Sequence, residues 1–289
     1  MQTQTECYPC ILHMLETVAN RVLGEDGGRS YLADVRARES FQPDTDRRQA
    51  PLIVAEGWAE LLGRTGDADP LAGLKADQNA LALRILPTAE EAVAGADEPL
   101  RVATTIAIIG NSMDVLVPDQ SGAKLLLDRL ASARIDQREF EEFRRRVMGA
   151  RSIVYLGDNC GEIVFDRLLI QTMRQAGSAP VTFVARALPV LNDATVADAL
   201  AVGIDEVARL IDNGIPRPMP STLLADLGDE ARQAIERADL IVSKGGGNYE
   251  LLGGDPALRG RVTFLVDGKC DPLCREHGLA RGMPILRNE

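Results

Sequence analysis

Ile153-Val154-Tyr155-Leu156-Gly157-Asp158-Asn159-Cys160-Gly161-Glu162 is an apolar run of four residues, a polar turn bounded by glycines, and the start of an amphipathic segment that reaches Gln175. That succession reads as a strand, a tight turn and a helix. In an α/β sheet the ligand crevice lies beyond the carboxyl ends of the strands, at the following helix N-termini. Asp158 and Asn159 are therefore expected to face it, as metal ligands. Further strand-like runs lie at Val181 to Ala185, near Glu206 to Ile211, at Leu240 to Val242 and at Val262 to Val266, with helical segments between them. The alternation predicts a mainly parallel sheet with helices on both faces, a three-layer α/β/α domain over residues 99–289.

Upstream, the pattern is helical throughout. Ile11, Leu12, Leu15, Val18, Ala19 and Val22 recur at the helical period, with Gly24 as the expected stop. Leu52 to Leu62 and Leu71 to Leu86 repeat that pattern between Gly, Pro and Asp clusters. Residues 1–98 read as an all-helical lobe, and Leu100 to Ile109 as a helix ended by Gly110.

The 289-residue chain can bury a large core, and its net charge of -11, with no basic run, argues against a nucleic-acid partner. No apolar stretch approaches the roughly 18 residues of a membrane span, and the first residues lack the pattern of a signal peptide. A cytoplasmic protein is expected. Cys7, Cys10, Cys160, Cys270 and Cys274 are too few and scattered for a disulfide framework. Cys7 and Cys10 have zinc-compatible spacing that Cys270 and Cys274 could complete, but packed or redox-sensitive thiols are the simpler reading. Lysine occurs only at 75, 124, 244 and 269, against 28 arginines, which hints that a compact three-donor cation was required at those places.

Asn192-Asp193 forms a second polar pair beyond a strand end. Two carboxylates, Asp158 and Asp193, with the amide oxygen of Asn159, suit a hard or borderline divalent cation such as Mg²⁺, Mn²⁺ or Co²⁺. Helix capping by the same aspartates is the plainer alternative. Ser243-Lys244-Gly245-Gly246-Gly247-Asn248-Tyr249-Glu250 also follows a strand. Its glycines admit an anion to backbone N–H groups and Lys244 adds charge, although the order is not that of a nucleotide-binding P-loop. Gly110-Asn111-Ser112-Met113-Asp114 sets Asn111 and Asp114, as substrate contacts or helix-end polar residues, in an apolar region. Asp267-Gly268-Lys269-Cys270 sets Lys269 at one more strand end.

In this order, Cys7-Tyr8-Pro9-Cys10, Gly110 to Asp114, Gly157 to Glu162, Asn192 to Thr195 and Lys244 to Glu250 resemble the damage-control phosphatase family, and the Cys-x-x-Cys resembles its prokaryotic subgroup. The resemblance implies a helical lobe on an α/β/α domain and hydrolysis of small phosphate monoesters with Mn²⁺, Co²⁺, Ni²⁺ or Mg²⁺. It implies Asp158, Asn159 and Asp193 as metal ligands, with Asp158, Asp193 and Lys244 in catalysis. Asn111, Asp114, Glu162, Lys244, Gly245, Asn248 and Lys269 would surround the phosphorylated substrate. Asp271 stands between Cys270 and Pro272 where the family often has Cys-Pro after the last lysine. Attack by Asp158 itself and attack by a water that the cation activates need the same ligands. The rival functions are S-adenosylmethionine-dependent carboxyl methyl transfer and non-catalytic binding of a metal or phosphometabolite; the chain has no glycine-rich adenosine loop after its first strand.

Overall fold

The computed structural model describes residues 3–42, 48–110 and 119–289. Six strands form one sheet: β1 (Ile153–Leu156), β2 (Val181–Ala185), β3 (Arg209–Asp212), β4 (Leu240–Lys244), β5 (Val262–Asp267) and β6 (Pro284–Asn288), in the order β3-β2-β1-β4-β5-β6. The first five are parallel, and β6 runs antiparallel to β5 with Leu265 opposite Leu286. The central strands are apolar because both faces are covered. Along β1, Ile153 and Tyr155 enter one core while Val154 and Leu156 enter the other.

Eleven helices are described: α1 (Cys7–Arg36), α2 (Ala50–Thr65), α3 (Ala72–Ala94), α4 (Pro99–Ile109), α5 (Asp119–Ser132), α6 (Gln137–Gly149), α7 (Glu162–Gly177), α8 (Val196–Ala201), α9 (Asp229–Arg237), α10 (Gly246–Leu252) and α11 (Asp271–Glu276). Ile85 of α3, Ile106 of α4, Phe143 of α6 and Leu169 of α7 share the first core with the sheet. Ile235, Tyr249 and Leu273 of α9, α10 and α11 fill the second. A third core joins α1 to α2 around Tyr31 and Trp58 and also buries Val190 and Leu191, so the N-terminal helices cover the loop after β2. Trp58 Nε1 donates to the Pro189 carbonyl of that loop at 3.3 Å. Burying a side chain of Leu or Phe size stabilises by roughly 1.5–3 kcal/mol, so this contact fixes the loop firmly.

Two local expectations need correction. Gly24 does leave helical geometry, with φ 74°, but it kinks α1 instead of ending it, and helix resumes to Arg36. The edge strand β6 was not anticipated, because Pro284-Ile285-Leu286 is too short an apolar run to stand out. No described helix is long and apolar enough to cross a membrane.

Candidate active site

Strand order reverses between β1 and β4, which is where an open α/β sheet leaves a crevice. Loops beyond β1, β2, β4 and β5 carry the polar residues singled out in the sequence. The first two loops are stitched together through backbone: Cys160 N donates to Asn192 O at 2.9 Å and Ala194 N to Asp158 O at 2.8 Å. Asp158, Asn159 and Asp193 are thus brought side by side.

Arg186, immediately after β2, spans the two acids. Its Nε donates to Asp193 Oδ2 at 2.6 Å and its terminal nitrogen to Asp158 Oδ1 at 3.2 Å. Asn159 Nδ2 donates to Asp158 Oδ2 at 2.9 Å, which leaves the Asn159 amide oxygen as a further donor atom for a cation. Gly245 fits only as glycine: its φ is 82° and a Cβ would lie 2.0 Å from Asp158 Oδ2.

Beneath these turns lies a buried ionic network. Lys244 donates to Glu162, to Asp166 Oδ1 at 2.7 Å and to Ala107 O at 2.7 Å, and Tyr155 also donates to Asp166 Oδ1, at 2.7 Å. All three ammonium donors are thereby used inside the protein. Asn248 is equally committed, with Nδ2 on Lys244 O at 2.8 Å and Oδ1 accepting from Thr222 N at 2.7 Å. Lys244, Glu162 and Asn248, expected to surround substrate, therefore sit fully buried under the crevice floor. Lys269 is exposed. Asn111 and Asp114 lie outside the described residues.

The electrostatics follow from burial. Desolvation, then the Asp193 and Glu162 charges, push the Asp158 carboxyl well above the usual carboxylate range, against Arg186 and Lys244. Desolvation likewise raises Asp193, opposed by Arg186. Asp166 is raised to about 7, again chiefly by desolvation, with Lys244 opposing. Burial alone would lower Lys244, but Asp166 and Glu162 outweigh it and hold the ammonium charged. Although Lys269 is exposed, desolvation by the protein around it draws its pKa down, while Glu162, Asp267 and Asp158 pull upward. That Glu162 and Asp158 act on it places Lys269 within electrostatic reach of the crevice.

Sequence reasoning missed Arg186, Asp166 and Ser221. Arg186 had a signal, since it directly follows a strand; Asp166 lies one helical turn after Glu162, on the same face. Ser221 had none. It is held at φ 93° and its backbone N–H bonds Asp193. Of the thiols, Cys7, Cys10 and Cys270 line one cleft with Lys269 and Glu250, whereas Cys274 turns away to Gly268 O at 3.3 Å. Among the described residues no three His, Cys, Asp or Glu side chains converge as a metal cluster; the set at the strand reversal is two carboxylates and an amide.

The damage-control phosphatase ARMT1-like domain matches residues 3–283. The chain belongs to the damage-control phosphatase family. A damage-control phosphatase of Archaeoglobus fulgidus is 36% identical to this family member over 77% of this chain and 76% of its own length. Another, from Pyrococcus horikoshii, is 28% identical over 100% of this chain and 99% of its own. The crystal structure of a DUF89 family protein from Pyrococcus horikoshii superposes with TM-score 0.85 at 25% identity, covering 100% of both chains. This phosphatase is accordingly a hydrolase of phosphate esters, and its fold is that of the family.

Proposed function

We propose that this phosphatase hydrolyses phosphate monoesters of small metabolites with a divalent cation held by Asp158, Asn159 and Asp193. The observation that carries the reading is a charge imbalance. Four carboxyl groups, Asp158, Glu162, Asp166 and Asp193, face two buried cations, Lys244 and Arg186, which leaves two acids in excess. Desolvation and neighbouring negative charge raise both Asp158 and Asp193 above the usual carboxylate range, and a bound divalent cation would match the excess. The donors are oxygens and an amide, which favour Mg²⁺, Mn²⁺, Co²⁺ or Ni²⁺ over a soft metal. When bound, the cation supplies Lewis-acid stabilisation of charge on the transferring phosphoryl group.

The chain's own groups divide the remaining work. Arg186 fixes the spacing of the two carboxylates. Gly245 lets the β4 turn close on Asp158, and its glycine neighbours let a phosphate approach the backbone there. Lys269 adds positive charge at the crevice for the anionic substrate. Lys244 acts from below by keeping Glu162 and Asp166 paired, so that the floor does not repel a phosphate. Asn111 and Asp114 remain proposed substrate contacts. A cytoplasmic location accords with five cysteines that are all free.

The test is a phosphate-release screen of chelator-treated protein over sugar phosphates, phosphopantetheine derivatives and nucleotides, with Mg²⁺, Mn²⁺, Co²⁺ and Ni²⁺ restored singly. Release is expected only after a cation is restored. Undiminished release from chelated protein would overturn the metal assignment.

A further inference from the structure

We infer that Lys75, Gln78 and Asn79, on one face of α3, position both ligand-bearing turns and so set metal affinity. The inference rests on the proposed reading of Asp158, Asn159 and Asp193 as ligands. Spacings of three and four residues put the three side chains on one side of the helix. Asn79 Oδ1 accepts from Gly161 N at 2.6 Å, within the turn that carries Asp158 and Asn159. Gln78 Oε1 accepts from Asn192 Nδ2 at 3.4 Å, the neighbour of Asp193. Lys75 Nζ pairs with Asp198 at 2.9 Å and with Asp69 at 2.6 Å. Asp198 in turn closes the capping box on Thr195, two residues past Asp193.

These contacts are costly to build for packing alone. Lys75 is 1% exposed and Asn79 5%, so both need polar partners inside the protein, which Asp69 and Asp198 supply for Lys75 and the Gly161 N–H for Asn79. Gly161 has φ 80°, and a Cβ there would meet the Gln78 carbonyl at 3.2 Å; α3 therefore lies directly against the turn. A helix of the N-terminal region thus spans from the Gly161 turn to the Asp193 loop, and its register fixes how far apart the two carboxylates stand. Lys75 and Asn79 are buried with their polar contacts on neighbouring loops, so they act as positioning residues, and Gln78 joins them through Asn192. Removing an outer-shell partner of this kind typically weakens metal binding about 10- to 100-fold.

Calorimetric titration of Mn²⁺ into chelator-treated protein reads this directly. Asn79→Ala is expected to raise the Kd for Mn²⁺ about 10- to 100-fold, while KM for substrate at saturating Mn²⁺ stays within about twofold, because ester contacts are untouched. Asn79→Asp, which keeps an acceptor for Gly161 N–H, should retain near-native affinity. Gln78→Met removes only the Asn192 contact from a half-buried side chain, and a several-fold rise in Kd is expected even if Asn79→Ala does not fold. Native Mn²⁺ affinity in folded Asn79→Ala, or in Gln78→Met where Asn79→Ala does not fold, overturns this inference alone. Failure of the unaltered protein to bind any of the four cations would instead overturn the ligand assignment beneath it.

Discussion

At the scale of single residues, the site depends on close approach and on proton competition. Gly245→Ala would set a Cβ against Asp158 Oδ2 in a left-handed backbone, so at least a tenfold loss of cation affinity is expected in a protein that still folds; calorimetry giving the native Kd would contradict it. Asp158 and Asp193 are both held above the ordinary carboxylate range, so protons and cation compete for the same oxygens. Cation affinity should therefore rise with pH, with protons released on binding, and binding heats that are independent of buffer protonation enthalpy would count against this. The linkage sign for folding is the reverse. A carboxyl raised in the folded state keeps a proton that the unfolded chain gives up, so the metal-free protein should lose stability as pH rises from 3.8 to about 7 through Asp166. Thermal melts across that window check the slope, and added cation should reduce it. The sparse lysines also acquire a reason here: Lys75 and Lys244 each hold two carboxyl groups from a buried point, which a compact ammonium does and a planar guanidinium does less well.

At the scale of elements, the strands were legible because parallel strands buried on both faces are written as unbroken apolar runs, as in β1, β4 and β5. β6 was not, since an edge strand of Pro284, two aliphatic pairs of contacts and then Arg287 and Asn288 has neither period nor length. Gly24 misled for a related reason: a glycine signals broken geometry, but whether helix resumes depends on packing against α2, which sequence does not display. Away from the crevice, capping sets element stability in the ordinary way. Asp136 accepts from Arg138 N and Glu139 N at the start of α6. Asp136→Ala should cost about 1 kcal/mol, lowering Tm by roughly 2–4 °C, with phosphate release unchanged; a loss of activity would show that α6 contributes to the site.

At the scale of the whole molecule, the crevice arises where strand order reverses, with α1 and α2 covering the β2 loop and α3 bracing it. Asp158 and Asn159 stand out in sequence because they lie just past an apolar strand run, and Asp193 because it belongs to a second Asn-Asp pair in the loop beyond β2. The structure sets the three side by side, and their role as ligands is the proposal. The burial of Lys244, Glu162 and Asn248 is not legible in sequence, because only three-dimensional packing shows where they spend their hydrogen bonds. Arg186 directly follows β2, but that place alone does not set it apart among 28 arginines, and only the fold shows it spanning Asp158 and Asp193. The central claim is that one divalent cation, seated between the β1 and β2 turns, is required for phosphate release. Parallel titration of Mn²⁺ binding and of phosphate release in the unaltered protein and in Asp193→Ala tests it most directly. The account predicts one cation bound per chain, release rising in proportion to occupancy, and both lost in Asp193→Ala by a factor of at least about 100. Native Mn²⁺ affinity in Asp193→Ala, or full release with no cation bound, would contradict it.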